Sequence, residues 1–154
     1  MRRGYLYREA KKRGCNKIAL GHHFNDVIET TLMSILFGSQ VQTMLPKLPS
    51  DNVEGMELIR PMYKIREKDI IAWAKYNNLD FIRCACRFTD DVSKKEDESM
   101  RQVVKKLIED LKKDYPNIDI NIFKSMENVN LNMVLGYKKK DKKYNFIDEY
   151  EKRI

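Results

Sequence analysis

The sequence predicts an α/β fold with few strands and a helix-rich C-terminal part, and three observations carry that prediction. The apolar run Ile18-Ala19-Leu20 leads through a polar turn into helical spacing, so a strand hands over to a helix. Glu57-Leu58-Ile59-Arg60 is a second extended run, and an amphipathic stretch again follows it. From Met100 onward the dominant rhythm is helical. A chain of 154 residues has room for one domain with a core, and is too short to argue for two.

Residues 3–13 read as a helix, with Leu6 and Ala10 four apart and Gly14 placed as its stop. Lys17 to Gly21 is a short buried strand. Over residues 26–37, Ile28, Leu32, Ile35 and Leu36 recur at helical spacing; Asn25 or Asp26 caps the first turn and Gly38 closes the helix. Residues 39–56 hold Pro46, Pro49, Ser50-Asp51-Asn52 and Gly55, and predict a long loop. Glu57 to Arg60 is a second strand ended by Pro61. Arg66 to Tyr76 is a helix with Glu67 and Asp69 in its first turn and Ile70, Trp73 and Ala74 on its apolar face. Asp80 to Arg83 is a third extended piece.

Met100, Val103, Val104, Leu107, Ile108 and Leu111 mark the clearest helix, whose other face carries Arg101, Lys105, Lys106, Lys112 and Lys113. Ile118, Ile120 and Ile122 alternate like a strand, while Ile118, Ile122 and Met126 fit a helix after Pro116. Periodicity leaves both open, and the reading leans to helix. Residues 138–143, Lys-Lys-Lys-Asp-Lys-Lys, read as a solvated charge run.

Lys plus Arg exceeds Asp plus Glu by 30 − 23 = +7, and the pI is near 9.2. A polyanion such as RNA fits that charge; so does a lysine-rich composition with no specific partner. No apolar run approaches the roughly 20 residues of a membrane span, and Met1-Arg2-Arg3 opens no signal peptide, so a cytoplasmic location is expected. Cys15, Cys84 and Cys86 form no even disulfide framework and point to metal or sulfur chemistry if they have a role.

The segment Gly21-His22-His23-Phe24-Asn25-Asp26 to Glu29-Thr30 places polar side chains where a strand becomes a helix, which is where open α/β sheets bind ligands. His22 and His23 are adjacent on extended chain, point to opposite sides and cannot easily share one metal. Glu29 has a plain reading as a cap at the third helical position. Cys15, alone after a helix, is structural.

Several ordered stretches resemble one family. Arg2-Arg3-Gly4-Tyr5-Leu6-Tyr7, then Lys17 to His23 with Asp26 and Glu29-Thr30, resemble the PP-loop ATPases, within them the tRNA 2-thiocytidine synthetase (TtcA-like) group. Leu45-Pro46-Lys47-Leu48 with Ser50-Asp51, Ile59-Arg60-Pro61-Met62 with Glu67-Lys68-Asp69-Ile70, and Phe81-Ile82-Arg83-Cys84 follow in the family's order, and the likeness runs through Tyr115-Pro116 to Met126-Glu127-Asn128-Val129. The resemblance implies a partial Rossmann-like, adenine nucleotide α-hydrolase-like three-layer fold over residues 1–130, with 131–154 a basic tail. It implies ATP with Mg in the complete enzyme, adenylation of a tRNA cytidine and replacement of the activated oxygen by sulfur. It also implies an iron–sulfur cluster held by cysteines.

On that resemblance Gly21, His23 and Asp26 line the nucleotide, Asp26 is the catalytic or magnesium-contacting acid, and Cys84 is a cluster ligand. Arg2, Arg3, Lys105, Lys106, Lys112 and Lys113 are the tRNA contacts, with the helix face of the four lysines the better candidate. The family's Ser-Gly-Gly-x-Asp-Ser loop occurs nowhere in the 154 residues, and its upstream cysteine pair would precede Met1. Asn25 stands where the family has a first Asp, and Cys84-Ala85-Cys86 replaces a Cys-x-x-Cys, so two cysteines are too few for a cluster within one chain. The expectation is the C-terminal half of a tRNA sulfurtransferase, inactive alone: a truncated protein, a split gene product whose N-terminal half is a separate polypeptide, or a fragment. The alternative is a non-catalytic remnant that binds RNA or dimerises. In either case an open strand edge predicts a homodimer.

Overall fold

The computed structural model describes residues 2–50, 53–80 and 92–150, with side chains for all of these but residues 2, 3, 92–98 and 149. They fall into two units, Met1–Phe123 and Lys124–Ile154.

In the first unit, helix α1 (Arg2–Lys12) stops where the sequence supplies a residue free to take positive φ. Gly14 has φ +70°, its N–H donates to Lys11 O at 3.0 Å, and the Cys15 N–H donates to Ala10 O at 2.9 Å. These two bonds satisfy carbonyls that the helix end would leave bare. Strand β1 (Lys17–Ala19) and helix α2 (Phe24–Leu36) follow, then β2 (Lys47–Pro49), β3 (Glu57–Ile59), α3 (Glu67–Tyr76), α4 (Val92–Asp114) and α5 (Ile118–Ser125).

The strands form one sheet in the order β1-β3-β2. β3 lies parallel to β1, with Ile18 opposite Leu58, and antiparallel to β2, with Leu48 opposite Leu58. Leu20 N–H donates to Ile59 O at 2.9 Å and carries the parallel pairing one residue past β1. β2 corrects the expectation of an unbroken loop over 39–56. Pro49, which has no N–H to give, is tolerated because β2 is an edge strand among the described residues.

Two helices make the core. Phe24 and Ile28 on α2 meet Val104 and Ile108 on α4, each pair four residues apart and on one face, and Leu32, Met33, Ile122 and Phe123 close around them. Phe24 stacks on Phe123 with ring centres 4.9 Å apart, and Tyr63 meets Phe123 edge-on at 5.4 Å. The ambiguous isoleucines resolve as helix α5. Its Asp119 is buried at 3% exposure, where Arg66 at 2.5 Å and Lys112 reach the same carboxylate oxygen and the Ile120 N–H binds the other. That anchor joins the start of α3 and the end of α4 to α5.

The second unit takes in the last two residues of α5, Lys124 and Ser125, and then a single turn of 3-10 helix (Leu131–Met133), capped by Asn130, whose side chain accepts the Asn132 N–H. Strands β4 (Gly136–Lys139) and β5 (Lys142–Asn145) pair antiparallel and lead into a short helix α6 (Phe146–Tyr150). The Lys138 to Lys143 run, read as a solvated tail, is thus a hairpin turning at Lys140, whose φ is +54°. Tyr137 and Tyr144 stack across it with centres 4.5 Å apart and planes 8° from parallel. A Cβ at Gly136 would lie 2.8 Å from Tyr144 O, so only glycine fits there. The third extended piece at Phe81 to Arg83, together with Cys84 and Cys86, lies outside the described residues.

Candidate functional site

The segment Gly21 to Asp26 leaves the C-terminal end of β1 and enters α2, with His23 in extended conformation as the residue that caps the helix. Asp26 sits at the third helical position and its carboxylate accepts the His23 N–H at 2.9 Å. The capping role read for Glu29 therefore belongs to Asp26: the cap is His23 rather than Asp26, three residues earlier, and the third helical position moves back by the same three. The Asp26 carboxylate also lies 3.4 Å from His23 Nδ1, a buried ring nitrogen with no hydrogen-bond partner of its own.

Arg101 on α4 binds both acids of α2. Its Nη1 is 3.0 Å from Glu29 Oε2 and 3.4 Å from Asp26 Oδ1. The sequence placed Arg101 on the charged outer face of α4; it lies one turn before the core residue Val104, and that register turns it toward α2. Burial pushes the Glu29 carboxyl up, and the hydrogen bond and charge of Arg101 only partly offset this. Arg101 thus fixes the two carboxylates one helical turn apart and partly neutralises them.

Asn25 holds a different element. Its Oδ1 accepts the Glu67 N–H at 3.1 Å at the start of α3, and Phe24 N–H donates to Ile65 O at 2.9 Å. The residue that departs from the family's acid pair here has a structural duty that an amide performs without adding charge. His22 Nδ1 accepts from Arg60 Nε at 3.3 Å, whereas the His23 ring lies beside Asp26. Gly21 is exposed, and a Cβ there would meet only the Met62 methyl at 3.6 Å, an ordinary contact. Packing does not require glycine at this position, which leaves an open backbone beside the helix start.

Gly21, His23 and Asp26 are therefore brought together at one helix N-terminus, where the helix dipole favours an anion, while the His23 N–H is taken by Asp26 and the Phe24 N–H by Ile65 O. Among the described residues no group of three or more His, Cys, Asp or Glu is placed to hold a metal ion. Cys15 is exposed and unbridged, with only a long contact from its thiol to Arg13 O at 4.0 Å; nothing in that setting gives it the structural role read for it. On α4, Lys105 pairs with Glu67 at 3.0 Å, Lys113 with Asp110 at 2.6 Å and Lys112 with Asp119. Three of the four lysines expected to meet RNA are thus engaged by carboxylates.

The PP-loop domain matches residues 1–111, well over half of the chain and all of the strand-to-helix site. The chain belongs to the PP-loop domain family. This PP-loop chain is 39% identical over 137 residues to a tRNA-cytidine(32) 2-sulfurtransferase of Coxiella burnetii (strain CbuG_Q212), covering 89% of the chain and 51% of that relative. It is 40% identical over 129 residues to tRNA-cytidine(32) 2-sulfurtransferase 1 of Francisella philomiragia, covering 84% of the chain and 48% of the relative. The chain spans about half the length of the curated relatives it matches. Among solved structures, the U34-tRNA thiolase NcsA from Methanococcus maripaludis with its [4Fe-4S] cluster superposes with a TM-score of 0.61 at 22% identity, over 82% of this chain and 40% of that one. That likeness confirms the mixed α/β, PP-loop type of fold. No described helix is long and apolar enough to cross a membrane.

Proposed function

We propose that this chain forms one wall of the nucleotide and tRNA site of an ATP-dependent tRNA-cytidine 2-sulfurtransferase working in the cytoplasm. The observation that carries the reading is the convergence of Gly21, His23 and Asp26 at the start of α2 within a matched PP-loop domain. Gly21 leaves the backbone open to a nucleotide, the α2 N-terminus attracts phosphate, and Asp26, held by His23 and Arg101, faces the same end. ATP and its magnesium supply activation of the cytidine oxygen when bound. The residues present fit an anion better than a bare metal, since each Asp26 oxygen already has a protein partner.

The relatives are about twice as long, and residues outside this chain supply the phosphate-binding loop in this reading, as an N-terminal half. A single wall lacks the charge-stabilising cradle for pyrophosphate, so the chain alone is inactive. Cys84 is the one cysteine that the family resemblance offers to an iron–sulfur cluster. One chain brings too few thiolates, and no step is assigned to a cluster here.

The test is ATP–pyrophosphate exchange. The purified chain is expected to show none, and mixing it with the N-terminal half of a 2-sulfurtransferase is expected to restore it, with Asp26→Asn abolishing the restored signal. Robust exchange by the chain alone would sink this reading. A second reading, a non-catalytic module that binds RNA or pairs with itself, is favoured by the β1 edge, which carries no further strand among the described residues. Retained tRNA binding with no exchange alongside any N-terminal half would select it.

A further inference from the structure

The lysines of the second unit's hairpin differ from three described lysines of α4 in one respect. Lys105, Lys112 and Lys113 are each held by a carboxylate, whereas Lys138, Lys139, Lys140, Lys142 and Lys143 make no ion pair among the described residues. They are exposed, and the hairpin register sets them directly against one another: Lys138 faces Lys143 and Lys139 faces Lys142. Like charges directly opposite on antiparallel strands repel, so this register weakens the hairpin unless an anion lies between or beside them. Side chains alternate along each strand, so Lys139 and Lys142 share a face with the Tyr137–Tyr144 stack. Tyr137 and Tyr144 line a cleft with Asn132, Asn145, Phe146 and Tyr150, and the last two rings are half exposed and 5.7 Å apart.

We propose that the β4–β5 hairpin is an RNA-binding element, its lysines contacting phosphates and its tyrosine face receiving an unpaired base. Basic side chains beside stacked aromatic rings suit a single-stranded RNA segment better than an acidic peptide, which has charge but no π-face to stack. The hairpin lies beyond residues 1–111, so it adds an RNA contact outside the matched PP-loop domain. The identity of the RNA as tRNA rests on the function proposed above; the hairpin's chemistry does not.

The experiment measures binding of unfractionated tRNA to the full chain over a range of salt, with poly-glutamate as an anion that cannot stack. The double variant Lys142→Glu, Lys143→Glu turns both cross-strand repulsions into attractions. It is expected to hold the hairpin at least as well, read as an unchanged or higher melting temperature by circular dichroism, while weakening tRNA binding. Removal of two contacts lowers the slope of log affinity against log salt by about 1.4, so the affinity lost between 50 and 200 mM salt shrinks about sevenfold. Lys138→Gln, Lys139→Gln is expected to give the same slope change without added negative charge. An unchanged slope in either variant overturns the proposal, as does poly-glutamate binding as tightly as tRNA. Wild-type binding to tRNA with unaltered variants removes the hairpin's role and leaves the sulfurtransferase reading standing. Failure of the exchange test with intact hairpin-dependent RNA binding does the reverse.

Discussion

Glu29 and Asp119 are both buried carboxylates held by cations, yet their environments move them in opposite directions. Burial raises Glu29 above its ordinary 4.5 because one guanidinium does not repay the lost water. At Asp119 burial also raises the carboxyl, but hydrogen bonds from Lys112, Arg66 and the Ile120 N–H outweigh it and the net direction is below 3.8. The folded chain therefore binds a proton at Glu29 more readily than the unfolded chain. Stability from that residue is full below about 4.5 and is lost as pH rises through the raised value. Asp119 contributes stability above 3.8 that is lost as pH falls through its lowered value. Glu29→Gln should flatten the loss on the rising side. Asp119→Asn should remove the acid-side loss and cost about 2 kcal/mol near neutrality, allowing for the partial exposure of Lys112. Urea midpoints across the acid range check both, and a midpoint profile unchanged in either variant would refute the assignment. The sequence made Asp26 and His23 legible, because a strand followed by a polar turn and helical spacing localises them. Arg101 was not legible, because its partners lie 72 and 75 residues away and an arginine on a lysine-rich helix face looks solvated.

At the scale of elements, the bodies of α1 to α4 could be read from spacing, whereas spacing left α5 open and gave no sign of α6; of the helix stops only Gly14 is a glycine at positive φ, since Ser39 takes that conformation after α2 and Asn78 after α3. Gly14 gives a direct test, since a Cβ there meets nothing within 4 Å and the positive φ is the whole cost. Gly14→Ala should destabilise by about 1 kcal/mol and Gly14→Asn by less, as Asn tolerates left-handed backbone better. Thermal melts of the two variants decide it; equal losses would mean that the turn is not limiting. β2 escaped notice because Pro46 and Pro49 signal a breaker, while an edge strand of three residues needs few donors. The hairpin escaped for a related reason. A run of lysines has no apolar alternation, and its pairing rests on two tyrosines seven residues apart.

Over the whole molecule, apolar surface remains where α1 and β1 present it. Tyr5 and Leu6 are 60% and 50% exposed, and β1 has pairing capacity on its outer side among the described residues. An unpaired edge next to apolar side chains favours association, and a second copy would cover both. Light scattering is expected to give a dimer, and a monodisperse monomer at micromolar concentration counts against it.

The three strands are three residues each, while α2 and α4 share the fully buried Ile28 and Val104. Such a sheet has too few ladder bonds to persist by itself, so it is expected to open locally before the helix pair separates. Amide protons at Leu20 and Leu58 therefore belong to a less protected cooperative unit than those at Val104 and Ile108. The site inherits this inequality. One side of the Gly21–Asp26 turn is tied to three-residue strands and the other to the buried helix pair, so a ligand seated there is expected to slow amide exchange at Leu20 and Leu58 more than at Val104 and Ile108.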